Sequence, residues 1–375
     1  MTENLLIVAD SERDADMLYA VGMFIPDPFI YLHAGRRPVI VVSDLEFDRV
    51  RRGAGHCRVV SQGETVRTLQ KSGVAKPDVS AVIRHLLRTY AVRKVTVPEN
   101  FPLGIARRLQ KLGVKVKLRV GDFFPDRRVK RLDEIKKISA SLTMAEVGLA
   151  EAIHAIKNSR VGKNRRLIYR NAPLTSERVR GIIGTAVMQA GGVAANTIVS
   201  SGAQSCDPHE RGHGVLRAGD PIILDVFPRS EKTGYYGDVT RTVVKGKATD
   251  AVRQLYRAVE EAQDLGFSLI HEGQSSSLIH DRIQQQFASA GYKTGRSARG
   301  MQGFFHGTGH GLGLDIHESL RIDPTSKDTL KTGHVVTVEP GLYYPGIGGV
   351  RLEDVALVLR RSSRNLTRFE KVLEI

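Results

Sequence analysis

From residue 4 to about residue 120, short apolar runs alternate with segments of helical spacing. Leu5–Val8, Pro38–Val42 and Lys94–Val97 read as short buried strands bounded by polar or turn residues. Val79–Tyr90 and Leu103–Leu112 place Ala, Ile and Leu at three- and four-residue intervals, which predicts helices. The alternation predicts an α/β domain over residues 1–125. Neither GxGxxG nor GxxxxGK[ST] occurs in it, so nothing there signals a dinucleotide or nucleotide site. The pattern breaks at Gly121–Asp126, where Pro125 removes a backbone donor and restrains its predecessor. A domain boundary is expected at this break, followed by a charged helical stretch, Arg127–Lys157.

Over residues 126–375 the period changes again. Ser176 is expected to cap a helix running to about Ala190, Asp250 one from Ala251 to Ile270, and a third covers Ser277–Ala290. Ala195–Ser200, Ile222–Phe227, Val239–Val244, Val335–Val338 and Val355–Leu359 are strand-like, which makes the layout α+β. One arrangement occurs twice. Ile222-Ile223-Leu224 ends in Asp225, and after a Gly/Tyr-containing turn Asp238 leads the next strand. Val335-Val336-Thr337-Val338 ends in Glu339, and after Gly341, Tyr343, Gly346, Gly348 and Gly349 comes Glu353, leading the last strand. Two similar hairpins each carry two acids.

A carboxylate at the end of a buried apolar run is costly unless something compensates its charge. Local ion pairs are one answer, Asp238 with Arg241 or Glu353 with Arg351. Four acids in two matching hairpins, with few basic residues in the strands, are better explained by cations held between the hairpins. A fifth element is His306-Gly-Thr-Gly-His310-Gly-Leu-Gly-Leu-Asp-Ile-His317. Its glycines exclude a helical HExxH zinc site, so it is loop and strand. One imidazole with four carboxylates makes an oxygen-rich shell suited to Mn(II), with Co(II), Fe(II) or Zn(II) also feasible.

Composition changes this picture little. A net charge of +16 and a pI near 9.9 invite a nucleic-acid partner, yet the positive residues come in separate short pieces, and with no Trp and 6% aromatics stacking residues are scarce. A basic solvated surface is the expectation, without nucleic acid. No run approaches the roughly 18 apolar residues of a membrane span, and Met1–Val8 does not resemble a secretory signal, so a soluble cytoplasmic protein is expected. Cys57 and Cys206 lack CxxC spacing and are expected to be reduced thiols.

Taken in order, Asp225, the Gly234–Thr242 run around Asp238, His306–Gly311, Val338–Tyr343 and Gly349–Asp354 resemble the signature segments of the pita-bread metallopeptidases. That superfamily holds methionine aminopeptidases, Xaa-Pro aminopeptidases and prolidases, and the metal-free creatinases. The resemblance spans roughly residues 130–375. It implies a creatinase-like N-terminal α/β domain, residues 1–125, followed by a pseudo-twofold pita-bread catalytic domain, residues 126–375. It implies two divalent ions, with Asp238 and Glu353 bridging, Asp225 completing one ion, and His310 with Glu339 completing the other. The implied reaction is removal of an N-terminal residue from a peptide by a water that the two ions share, with Glu339 as its base. His209, His317 and, less directly, His306 are implied to contact substrate or intermediate, and Arg351 to order the site. The separate N-terminal domain favours Xaa-Pro specificity over a methionine aminopeptidase. Retention of all five ligands disfavours a creatinase-type hydrolase and a non-catalytic binding protein on the same fold. Peptides are the implied partners, and the resemblance leaves a homodimer open. Asp238 follows Asp225 two positions later than in the better-known branches, so Phe227–Thr233 forms a longer loop beside the site.

Overall fold

The computed structural model describes residues 3–375, and the chain divides into two compact units, one ending at Pro125 and the other spanning Asp126–Ile375. The first is built on a six-stranded mixed sheet in the order Arg58–Ser61, Val39–Val42, Phe29–His33, Leu5–Ala9, Lys94–Val97, Lys115–Leu118. Side chains alternate across the pleat, so neighbouring apolar residues serve different cores. Leu6, Leu32 and Val41 pack with Ile83, Leu87 and Leu109 from helices Val79–Thr89 and Leu103–Lys111. Ile7, Tyr31 and Ile40 pack on the other face with Met17 and Val50, from helices Ala15–Val21 and Phe47–Gly53. Burial on both faces explains why these strands read as unbroken apolar runs.

The second unit is two repeats of helix pair on sheet. Helices Leu132–Lys157 and Ser176–Gln189 pack together, the first against a three-stranded antiparallel sheet ordered Ile198–Ser201, Pro221–Val226, Val239–Val244. Helices Asp250–Leu269 and Ser276–Ser289 cover a five-stranded sheet ordered Glu318–Ile322, Gly309–Gly311, Val335–Val338, Asp354–Val358, Ser363–Asn365. Val259, Ile279, Ile283 and Phe287 from these helices bury Val336, Val338 and Ala356. Full burial of such side chains stabilises the unit by about 1.5–3 kcal/mol each. A ribbon of Gly341–Tyr344 and Gly348–Arg351 packs against helix Asp250–Leu269 and against strands Pro221–Val226 and Val239–Val244 of the first sheet. The repeats meet where Glu353 N–H donates to the Thr240 carbonyl at 3.1 Å.

Three sequence expectations are corrected. The helix expected from Arg127 starts at Leu132, because Pro125–Arg128 forms a 3₁₀ turn, Val129 pairs with His334, and Glu134 accepts from the Arg131 N–H. The caps expected at Ser176 and Asp250 are instead Thr175 and Thr249, whose hydroxyls accept from the N–H groups of Arg178 and Val252. The strand expected from Ala195 begins at Ile198, the first residue to pair with Asp225.

Candidate metal centre

Asp225 lies within Pro221–Val226, a strand buried at every position, and pairs across the sheet with Ile198 and Thr240. Asp238 stands one residue before Val239–Val244. Gly237 precedes it because the chain passes close to the long helix: a Cβ there would sit 2.5 Å from the Ser141 carbonyl oxygen. His310 is the middle residue of Gly309–Gly311, and a Cβ on Gly309 would lie 1.9 Å from the Thr337 oxygen. The glycines around His310 therefore serve close strand packing rather than flexibility. Glu339 follows Val335–Val338, and Glu353 precedes Asp354–Val358.

Folding brings these residues together. One side-chain ligand atom from each of Asp238, His310 and Glu353 falls within 4.8 Å of the others. Glu339 Oε1 is 3.4 Å and Asp238 Oδ2 3.7 Å from His310 Nε2. These four and Asp225 line a cavity of about 860 Å³, as do His209, His306, His317 and Arg351, so all nine residues singled out in the sequence face one space. Glu339 is the most exposed of these acids, with 20% of its side chain accessible against 11% for Asp225 and 6% for Asp238.

The local ion pairs that could have satisfied the acids are not formed. Arg241 is buried and donates to Asp354 at 2.7 Å and to the backbone of Thr240 and Glu353, not to Asp238. Arg351 donates to Asp225 Oδ2 at 2.6 Å, not to Glu353. Both arginines sit inside strands, where the sequence suggested few basic residues. Asp225 Oδ1 and Glu353 Oε1 are buried without a hydrogen-bond partner among the described residues. Unpaired acceptors of this kind cost about 1–3 kcal/mol each and are the donor set a cation would fill.

Electrostatics agrees. Burial, then the charges of Glu353, Asp225 and Glu339, drive the Asp238 carboxyl well above the usual carboxylate range. Glu353 is raised in the same way, by burial and then by Glu339 and Asp225. Burial first, with Asp225 adding, lifts Glu339 to about 7, against the opposing pull of Arg351. His310 moves the other way, to about 3, because burial and then His317 disfavour its cation. Its Nδ1 lies 3.1 Å from the Gly311 carbonyl, which can only accept, so Nδ1 carries the hydrogen and Nε2 turns a lone pair toward Asp238 and Glu339. A neutral imidazole so oriented, beside acids whose charged forms burial and mutual repulsion disfavour, fits a divalent cation.

Both nitrogens of His306 are engaged within the protein: Nδ1 with the Gly307 carbonyl at 2.8 Å, and Nε2 with the Tyr343 hydroxyl at 2.9 Å. Tyr343 in turn accepts from Arg351 at 3.1 Å. His317 is exposed to the cavity, its ring edge-on to His310 at 4.3 Å between centroids. His209 lines the wall, its backbone N–H bonded to Asp207 at 3.0 Å. Sequence reasoning missed Tyr343 as a polar contact, Thr240, whose hydroxyl donates to Glu353 Oε2 at 2.8 Å, and Arg321 and Phe305 on the cavity wall. Tyr343 and Thr240 stood inside the family-like segments; Arg321 and Phe305 carried no local signal.

The fold and this cluster are those of a pita-bread metallopeptidase. The model for metallopeptidase family M24 matches residues 136–360, and the chain belongs to that family. It is 37% identical to the uncharacterized peptidase YqhT of Bacillus subtilis over 179 residues, which is 48% of either chain, so that match spans about half of the relative's length. It is 28% identical to a Xaa-Pro dipeptidase of Pyrococcus horikoshii over 75% of each chain. Its fold is similar to that of an X-Pro aminopeptidase from Thermotoga maritima, with a TM-score of 0.83 over 100% of this chain and 97% of that one, at 22% identity. Membership implies divalent-metal binding. Among the described residues, no helix is long and apolar enough to cross a membrane.

Proposed function

We propose that this chain is a dinuclear metalloaminopeptidase that releases the N-terminal residue of short peptides, with preference for Xaa-Pro bonds. The observation that carries the reading is the buried convergence of Asp238, His310 and Glu353 within 4.8 Å, flanked by Asp225 and Glu339 in one cavity. Asp225, Asp238, His310, Glu339 and Glu353 would hold two ions, and the oxygen-rich set favours Mn(II) over Co(II), Fe(II) or Zn(II). When bound, such ions lower the pKa of water and polarise a carbonyl.

The protein's own groups then divide the work. Glu339, the most exposed of the cluster acids, takes the proton of the attacking water and delivers it to the departing amine. His317 and His209, on the cavity wall, contact the peptide, whereas His306 acts through Tyr343 and Arg351, since neither of its nitrogens is free. Arg351 holds Asp225 in place, and Thr240 does the same for Glu353. Proline specificity is supported by the names of the Xaa-Pro relatives and by a cavity sized for a short peptide. Cys57 and Cys206, both free thiols, support a reducing, cytoplasmic setting.

Metal analysis of purified variants tests the assignment. Asp238→Ala and Glu353→Ala should lose metal, while His317→Ala should keep it and turn over more slowly. Glu339→Gln should lower kcat by roughly 10²- to 10⁴-fold, the scale of a lost general base. Equal occupancy in the two alanine variants and wild type would show the ligands to be misassigned.

A further inference from the structure

His317 ends the turn 312–317, which is closed where Gly311 pairs with Glu318. Its orientation is therefore set by whatever fixes Glu318. That carboxylate is buried and fully engaged. Oε1 accepts from the Leu314 N–H at 3.0 Å and from Arg127 Nη2 at 2.9 Å, and Oε2 accepts from Lys130 Nζ at 2.5 Å. Arg127 also reaches Asp315 in the same turn at 2.8 Å. The turn wraps tightly round the carboxylate: a Cβ on Gly313 would lie 2.4 Å from Glu318 Oε1. The cations are anchored in their turn, since Lys130 N–H donates to Gly333 O at 2.8 Å and Val129 pairs with His334. The Lys130 side chain is only 2% exposed and that of Glu318 7%.

A buried ion pair is a poor way to gain stability, because apolar residues of similar volume commonly serve as well or better, so its presence beside a site points to geometry. We propose that Lys130 and Arg127, gripping Glu318, are positioning residues that hold His317 at the working depth of the cavity. The inference rests on the reading of His317 as a substrate-contacting residue. It also gives a function to Arg127 and Lys130, which in sequence read only as parts of a charged helical stretch. Loss of the grip leaves the ligand cluster intact and lets the turn 312–317 relax. Turnover falls, because misplacing a contacting group by about 1 Å costs up to a hundredfold, whereas metal retention does not.

The test compares metal-loaded wild type with Lys130→Met, Glu318→Gln and Lys130→Arg, each also in a His317→Ala background. The first two should lower kcat by roughly tenfold to a hundredfold at unchanged metal content, and Lys130→Arg should restore most of it. In the His317→Ala background they should add little, since they act through the missing ring. Equal losses in both backgrounds would overturn the proposal. If a single substitution prevents folding, the Lys130→Met/Glu318→Gln pair, which removes both charges, carries the same comparison. Carbon-13-labelled histidine in protein loaded with Zn(II), which is diamagnetic, gives a reading independent of any substrate. The His317 Hε1 signal should shift or broaden in Lys130→Met and recover in Lys130→Arg. An unmoved signal rejects the clamp, whereas a moved signal with no peptidase activity in wild type rejects the proposed function alone.

Discussion

Thr240 and Glu353 are joined twice, by a side-chain hydrogen bond of 2.8 Å from the threonine hydroxyl to Oε2 and by a backbone bond of 3.1 Å from the glutamate N–H to the threonine carbonyl. The pair stands at the seam between the two repeats, so orienting a cluster acid and joining the halves are one event. With Oε2 occupied, the unpartnered Oε1 is left for a cation.

Thr240→Val keeps the shape of the side chain and removes the donor. Mn(II) affinity, measured by chelator competition, is expected to fall roughly tenfold to a hundredfold, the usual scale for loss of a group that orients a metal ligand. An unchanged Kd would show that the backbone bond alone positions Glu353.

Metal loading is expected to release protons. Glu339 titrates at about 7 in the metal-free protein and holds its proton on the acid side of that value, and burial with the neighbouring acids raises Asp238 and Glu353 as well. A cation must displace those protons, hence affinity weakens as pH falls through about 7. His310, held near 3, is already neutral and contributes none. Calorimetry at about pH 6.5, in buffers of different ionisation enthalpy, should give a net proton release that shrinks at higher pH. Release of no protons at about pH 6.5 would contradict the electrostatic picture.

Arg321 is exposed on the cavity wall, close enough to shift both His317 and Glu339. It is expected to meet the C-terminal carboxylate of a dipeptide. Arg321→Gln should then raise KM for Ala-Pro by roughly tenfold or more, the worth of one charge-assisted hydrogen bond, with a much smaller change for the amide-capped dipeptide. Equal effects on the two substrates would place the carboxylate elsewhere.

Much of this was legible in the chain. Asp225, Asp238, Glu339 and Glu353 stood out because each interrupts an apolar pattern in a place where burial makes an acid expensive, and because the arrangement occurs twice. The helices of residues 126–375 were found, while Ala15–Val21, Phe47–Gly53 and Gln62–Lys71 were not, and two caps were missed by one residue, since Thr175 and Ser176, like Thr249 and Asp250, are both competent caps and only the backbone conformation chooses between them. What local pattern could not supply is who meets whom. For Arg241 and Arg351 the sequence offered only the nearest acids, Asp238 and Glu353, as possible partners, and the fold turns them to Asp354 and Asp225 instead. Gly341–Tyr344 and Gly348–Arg351 read as turn because of their glycines, yet they pair as a ribbon that delivers Tyr343 to His306. Lys130 was one charge in a stretch read as helix, and its partner Glu318 lies too far along the chain for local pattern to supply.

The central claim is most directly tested by one assay: cleavage of Ala-Pro, Ala-Pro-Ala and Ala-Ala-Ala by protein stripped of metal, before and after addition of Mn(II). The account predicts no turnover before addition, recovery after it, and kcat/KM for the proline peptides well above that for Ala-Ala-Ala. Full activity of the verified metal-free protein, or no cleavage of any peptide once metal is bound, would contradict it.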